Sequence, residues 1–356
     1  MADQLPLVVA GDETVLDEIL RIAAAAGCEV ERAADLTAAH GRWAGAPLVV
    51  VDEDALRAGH RLPRRGGVLL VCKGTPTPES WEQAFLGGAE QVISLPEGET
   101  ELIGAFADVV EGPAEGRGSV IGVIGGRGGA GASVLAAAVG LAANADGRGL
   151  LVDCDSLGGG IDLVLGAEGV DGLRWPDLQV SGRVSMPSLQ ESLPRLGHRE
   201  NGLSFLSCGT EGHDPTADAV TAVIAAGRRA GRTVVCDLPR HLCTGAAAAA
   251  GEADLVALVV PAEFRACLAA KQVLRRLEQR ACRIGIVVRG PVLAGLSPGE
   301  LAEMMGLPLL SYLVPDRRMP VDLERGEFQL RPKSPLATAA EAIVAAARLG
   351  TADAAR

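Results

Sequence analysis

Residues 125–133 read GGRGGAGAS, between the apolar run SVIGVIG and the Ala-rich stretch VLAAAVGLAAN. Glycines in such a loop let backbone N–H groups converge on phosphate oxygens, because no Cβ intrudes, and the N-terminus of a following helix adds a positive dipole. Against the pattern G-x-x-x-x-G-K-[ST], Gly126, Gly131 and Ser133 match, and Ala132 stands in place of the Lys. The spacing predicts a phosphate cradle made of Gly126, Arg127, Gly128, Gly129, Ala130, Gly131, Ala132, Ser133 and Val134, with the Ser133 hydroxyl placed to ligate Mg²⁺. Acids join it from two later apolar runs, GLLVDCD ending in Asp153-Cys154-Asp155 and RTVVCDLP carrying Asp237. Carboxylates at the C-terminal ends of parallel strands point into the crevice where phosphates would lie. A missing point charge beside a transferring phosphoryl group typically costs about 10²–10³ in rate. Binding on amides, dipole and Mg²⁺ is therefore expected to survive Ala132, and fast hydrolysis is not.

These residues need strands and helices to hold them. The run before the glycines reads as a strand and the Ala-rich stretch after them as a helix. Upstream, 5–12, 47–54, 67–74 and 90–95 are apolar strands, alternating with helical segments at 13–27, 79–89 and 99–112. Strands apolar throughout, with amphipathic helices between them, predict a parallel sheet covered on both faces. The stretch EGPAEGRGS (111–119) is polar and rich in Gly and Pro, as a linker is.

At 356 residues the chain is long enough for two domains. Hydrophobic residues form 48% and aromatics only 3%, so the core must be built from Ala, Val, Leu and Ile. Lys occurs only at 73, 271 and 333, so nearly every cation is Arg. A net charge of −12 argues against nucleic-acid binding. Arg228/Arg229/Arg232 and Arg275/Arg276/Arg280/Arg283 read as solvated helix faces. The eight cysteines show no CxxC or paired Cys/His spacing, so small buried hydrophobe is the expected role. No basic-plus-apolar leader opens the sequence and no apolar run reaches the roughly 18 residues a membrane span needs. A cytoplasmic location is the expectation.

The first unit resembles the receiver domain of two-component signalling. The resemblance places Asp52 at the phosphoacceptor position and Asp12 in the acid pair, but Leu95-Pro96 stands where the catalytic Lys is expected. It thus implies a degenerate receiver. Residues 118–348 resemble the MinD/ParA family of deviant P-loop ATPases, and the added first unit narrows this to the CpaE/TadZ-like branch, including actinobacterial proteins called septum-site-determining. The resemblance implies ATP or ADP with Mg²⁺ held by Ser133, Asp155 and Asp237, Asp155 also activating water, and Asp162 at the family's downstream Asp. It puts Val314, Pro315 and Asp316 near the adenine. Arg289 replaces the usual Asn there, and Arg127 replaces the signature Lys that reaches across a homodimer.

The expected fold is α/β: a receiver-like (flavodoxin-like) domain over 1–112, a linker at 113–118, a larger P-loop NTPase domain with a mostly parallel sheet over 119–350, and a tail at 351–356. The expected function is a nucleotide-binding spatial regulator, recruited to pole or septum through partners in pilus, secretion or division machinery. An active ATP-hydrolysing dimer switch and a nucleotide-free scaffold stay open beside it. The Ala-rich C-terminal stretch, poor in cations, is expected to pack on its own domain rather than on lipid.

Overall fold

The structure, a computed structural model, describes residues 5–58, 63–111, 118–178, 184–197, 201–209, 214–279, 283–292 and 297–354. The chain separates into two compact units, Met1–Pro113 and Ala114–Arg356. Most of the stretch expected to be a linker, 112–117, lies outside the described residues.

In the first unit the order is β1 (Leu7–Val9), α1 (Glu13–Ala25), β2 (Glu31–Ala33), α2 (Leu36–Trp43), β3 (Val49–Asp52), α3 (Glu53–Arg57), β4 (Val68–Lys73), α4 (Pro78–Gly87), β5 (Gln91–Leu95) and α5 (Glu99–Glu111). The strands run parallel in the order β2-β1-β3-β4-β5. Val8, Val50 and Val71 join one buried cluster and Leu7, Val49 and Leu70 the other, so each face of the sheet has its own core. Alternate side chains on a strand point to opposite faces, and all-apolar strands satisfy both. The short β2 and α2 were not anticipated from the sequence.

The second unit runs β6 (Val120–Gly125), α6 (Ala132–Ala143), β7 (Gly149–Asp153), α7 (Ile161–Leu165), α8 (Met186–Ser192), β8 (Arg195–Leu196), β9 (Leu203–Leu206), α9 (Ala217–Arg229), β10 (Thr233–Leu238), α10 (Thr244–Glu252), β11 (Leu255–Pro261), α11 (Phe264–Glu278), β12 (Ile284–Arg289), α12 (Pro298–Met305), β13 (Leu309–Leu313), α13 (Met319–Glu324) and α14 (Pro335–Ala354). Its sheet has the order β13-β12-β11-β6-β10-β7-β9-β8, and every pairing is parallel except β8 with β9. β6 is central and wholly buried, so the loop after it opens at the middle of the sheet's C-terminal edge.

α14 buries Ala339, Ala340, Ile343 and Ala347 against the core that α6 shares, so the C-terminal stretch packs on its own unit. It continues to Ala354, past residue 350, where the sequence reading ended the domain. The first Arg cluster is not a solvated face. Arg228 Nη2 bonds the Glu252 carbonyl at 2.6 Å and pairs with Asp254 at 3.0 Å, Arg229 Nη2 reaches the Val184 carbonyl, and Arg232 bonds Gln190. Arg228 and Arg229 are drawn to oxygens at element ends, and Arg232 to a side-chain amide on α8. Among the described residues, no helix is long and apolar enough to cross a membrane.

Candidate functional site

The glycine loop joins β6 to α6, and its residues divide by task. The Gly126 N–H donates to the Val259 carbonyl at 2.8 Å, and a Cβ on Gly126 would lie 2.7 Å from the Ala270 Cβ. Gly126 is therefore a packing glycine against β11 and α11, and its amide is not free for phosphate. Ala130 is buried with the core. Gly129 faces open space at φ +69°, and at Gly128 a Cβ would meet only the Arg240 guanidinium at 3.8 Å. Gly131 takes φ +88° and is the N-cap of α6 without a side-chain capping bond. The first-turn amides of a helix lack intrahelical acceptors, so α6 presents uncapped N–H groups and a positive dipole end at the loop. A cleft of about 440 Å³ lies here, lined by the loop from Arg127 to Val134 and by Asp155, Asp237, Arg240 and His241.

The three acids are not equivalent. Asp153 is buried and its carboxylate accepts the N–H groups of Asp155 at 2.9 Å, Ile161 at 2.9 Å and Cys208 at 3.1 Å. It braces the loop after β7. Asp237 is also buried, and the nearby Ser133 hydroxyl acts to lower its carboxyl. Burial pushes its carboxyl well up, and the neighbouring Asp153 and Asp155 push it further. Asp155 is half-buried and lines the cleft, its Oδ1 accepting the Leu157 N–H at 3.2 Å. A hydroxyl and two carboxylates around a cleft, one of them a buried acid held against like charge, suit a hard oxygen-seeking dication such as Mg²⁺. Open glycine positions and uncapped amides beside them suit phosphate oxygens. Asp162 lies elsewhere. It accepts from Ser207 Oγ at 2.8 Å and pairs with Arg174 at 3.4 Å, a structural bond beneath α7.

Arg127 folds back on its own chain, Nη2 to Glu263 Oε1 at 2.8 Å, with both side chains partly exposed. Arg289 Nη1 donates to the Gly129 carbonyl at 2.9 Å and so clasps the loop from the β12 side. A second cleft of about 350 Å³ adjoins the loop, and Arg289, Val314, Pro315 and Asp316 line it together with Gly131 and Val134. The residues expected near a base and those expected near phosphate are thus brought side by side.

In the first unit, Asp52 is buried, and its two oxygens accept the Asp12 N–H at 2.8 Å and the Ala55 N–H at 2.7 Å, capping α3. Asp12 caps α1 through Thr14 and Val15. A cation does reach this corner, but from β4 rather than β5: Lys73 Nζ lies 3.4 Å from Thr14 Oγ1.

Sequence reasoning missed Arg240, His241 and Glu263. Arg240 Nη2 lies 3.8 Å from where a Cβ on Gly128 would sit. The available signal was position: Arg240 and His241 follow Asp237 within four residues, on the loop that leaves the same strand.

Residues 9–117 match the family described as "Rv3660c-like, CheY-like N-terminal domain". Protein Rv3660c and protein MT3760, from two strains of Mycobacterium tuberculosis, are each 42% identical over 339 residues, covering 94% of this chain and 95% of theirs. Among solved structures, the MinD cell division protein of Aquifex aeolicus is 22% identical with a TM-score of 0.51, covering 65% of this chain and 96% of that one. A ParA family ATPase from Chlorobium tepidum is 17% identical at the same TM-score, covering 63% and 96%. These likenesses establish the fold: a CheY-like first unit and a second unit with the architecture of MinD/ParA P-loop ATPases.

Proposed function

This chain belongs to the Rv3660c-like family, and from that premise we propose that it is a nucleotide-binding spatial regulator. It holds ATP or ADP with Mg²⁺ in the second unit, hydrolyses slowly or not at all, and helps to position pilus, secretion or septum machinery. The fold shared with a cell division protein and a ParA ATPase supports the class of role. The observation that carries the reading is the cleft where the uncapped α6 N-terminus, Ser133 and the buried Asp237 meet, at a loop whose cationic position is Ala132.

Each of the chain's groups has a task. The Gly128, Gly129 and Gly131 positions leave room for phosphate oxygens, and first-turn amides bind them. Ser133, Asp155 and Asp237 hold the dication, which offsets phosphate charge when bound. Asp155 also orients a water. Pro315, Asp316 and Arg289 border the base. Leu157 and Phe264 are large apolar side chains left 80% and 65% exposed, Leu157 in the cleft wall and Phe264 next to Glu263. Apolar exposure beside the cleft supports a homodimer closing over the nucleotide, with Arg127 leaving Glu263 to reach the partner.

Arg240 favours a second reading, an active ATP-hydrolysing dimer switch, since it brings a guanidinium to Gly128 where Ala132 offers nothing. Calorimetric titration with ATP and ADP plus Mg²⁺, followed by turnover measurements on the parent and Arg240→Ala, tests both. Saturable binding with negligible turnover supports the regulator. Sustained turnover lost in Arg240→Ala supports the switch. No saturable binding at millimolar nucleotide overturns both.

A further inference from the structure

A second, chemically different site lies beside the phosphate cleft. We propose that Asp214, His241 and Cys243 bind a borderline transition-metal dication of the Zn²⁺ class, clasping the β10–α10 loop to the segment that leads into α9.

One ligand atom from each of the three residues lies within 4.8 Å of the others. Tetrahedral zinc holds its S, N and O donors at about 2.0–2.3 Å, which sets donor–donor spacings of roughly 3.3–3.8 Å. Side-chain rotations close the difference. An imidazole nitrogen, a thiolate and a carboxylate form the mixed donor set that borderline metals take and that Mg²⁺, which seeks oxygen, does not. The cluster is thus distinct in chemistry from the Ser133/Asp155/Asp237 set.

The surroundings are built for it. Leu242, between the two ligands, takes φ +45°, a left-handed conformation that a branched side chain adopts only where its surroundings impose it. Cys243 is the N-cap of α10, which fixes its backbone at the start of that helix. Among the described cysteines it is the one not fully buried. Ser156 Oγ donates to Asp214 Oδ1, an outer bond that orients the carboxylate as metal-ligating groups usually are oriented. On binding, the Cys243 thiol proton leaves to solvent and a sulfur–metal bond forms. Three protein ligands leave a fourth position for water.

The site has a consequence for its neighbour. The loop it fixes also carries Arg240 and His241 into the wall of the phosphate cleft. Metal occupancy therefore sets how firmly Arg240 is held beside Gly128.

The test is a Co²⁺ titration of the full metal-free chain in excess Mg²⁺, without nucleotide, reading the thiolate-to-cobalt charge-transfer absorption. One equivalent should saturate the band, and Zn²⁺ should displace it. Cys243→Ser should abolish the band with unchanged circular dichroism, and Ser156→Ala should weaken Co²⁺ affinity by about 10–100-fold. His241→Ala should weaken it at least as much. Absence of a saturable band in the parent, or an unchanged band in Cys243→Ser or His241→Ala, overturns the proposal. Neither result depends on whether nucleotide binds.

Discussion

Asp153 and Asp237 are lateral partners on the adjacent parallel strands β7 and β10, and both are buried. Three backbone N–H groups hold Asp153, whereas Asp237 has the Ser133 hydroxyl and two like charges near it. Burial raises both carboxyls, to about 6 at Asp153 and about 8 at Asp237, but only Asp153 serves as the acceptor for three backbone amides.

Asp153→Ala should destabilise the fold by roughly 2–5 kcal/mol, because several buried amides lose their acceptor. Asp237→Asn should stabilise the chain in buffer free of divalent cations. Its folded carboxyl titrates above its ordinary value near 4. The folded state thus keeps a proton that the unfolded state has released, and this group's contribution falls as pH rises from near 4 toward the raised value. At pH 8 the Asn variant should melt higher than the parent, by about 2–4 °C for each kcal/mol relieved. The gap should shrink toward pH 5 and on adding Mg²⁺. A variant melting lower than the parent at pH 8 would contradict this.

The Arg127–Glu263 pair is partly exposed on both sides, and pairs of that kind contribute about 0–1 kcal/mol. Its release costs little. In light scattering the mass should rise toward a dimer with ATP and Mg²⁺, more readily in Glu263→Gln and less in Arg127→Ala. Equal mass with and without ATP in the parent, unchanged by either substitution, rules out the dimer closing over nucleotide.

Asp52 should not accept a phosphoryl group, because both of its oxygens serve backbone amides and Leu95 supplies no cation. Acetyl phosphate and Mg²⁺ should leave the intact mass unchanged. Asp52→Ala should cost about 1–2 kcal/mol through the lost α3 cap. A stable phosphate adduct abolished by Asp52→Asn would be the opposite result.

Much of this was legible along the chain, and what was not has a physical reason. The glycine loop announces itself because β6 is apolar at every position and α6 follows at once. β2 escaped notice because Glu31-Arg32-Ala33 is a three-residue edge strand, half wetted, with no apolar run to betray it. Asp153, Asp155 and Asp237 look alike in sequence, since only folding decides which carboxylate meets backbone amides. Gly126 fits the loop pattern, yet its amide belongs to the β11 ladder. The Asp214/His241/Cys243 cluster was invisible because one member comes from a segment 27 residues away.

Ala132→Lys should raise ATP hydrolysis about 10-fold or more, since a charged contact to the transferring group is worth a few kcal/mol. Adding Asp155→Ala should erase the gain. No gain in the single variant, with nucleotide binding intact, would mean that the cationic position is not what limits turnover.

The nucleotide itself gives the sharpest answer. The full chain is incubated with ATP and Mg²⁺, passed rapidly through a desalting column, and the bound nucleotide is extracted and identified over time. The expected result is about one ATP per chain, still intact long after a competent ATPase would have converted it. A chain that emerges without nucleotide, or carrying ADP from the first time point while ADP accumulates in solution, contradicts a loop that holds nucleotide and seldom cleaves it.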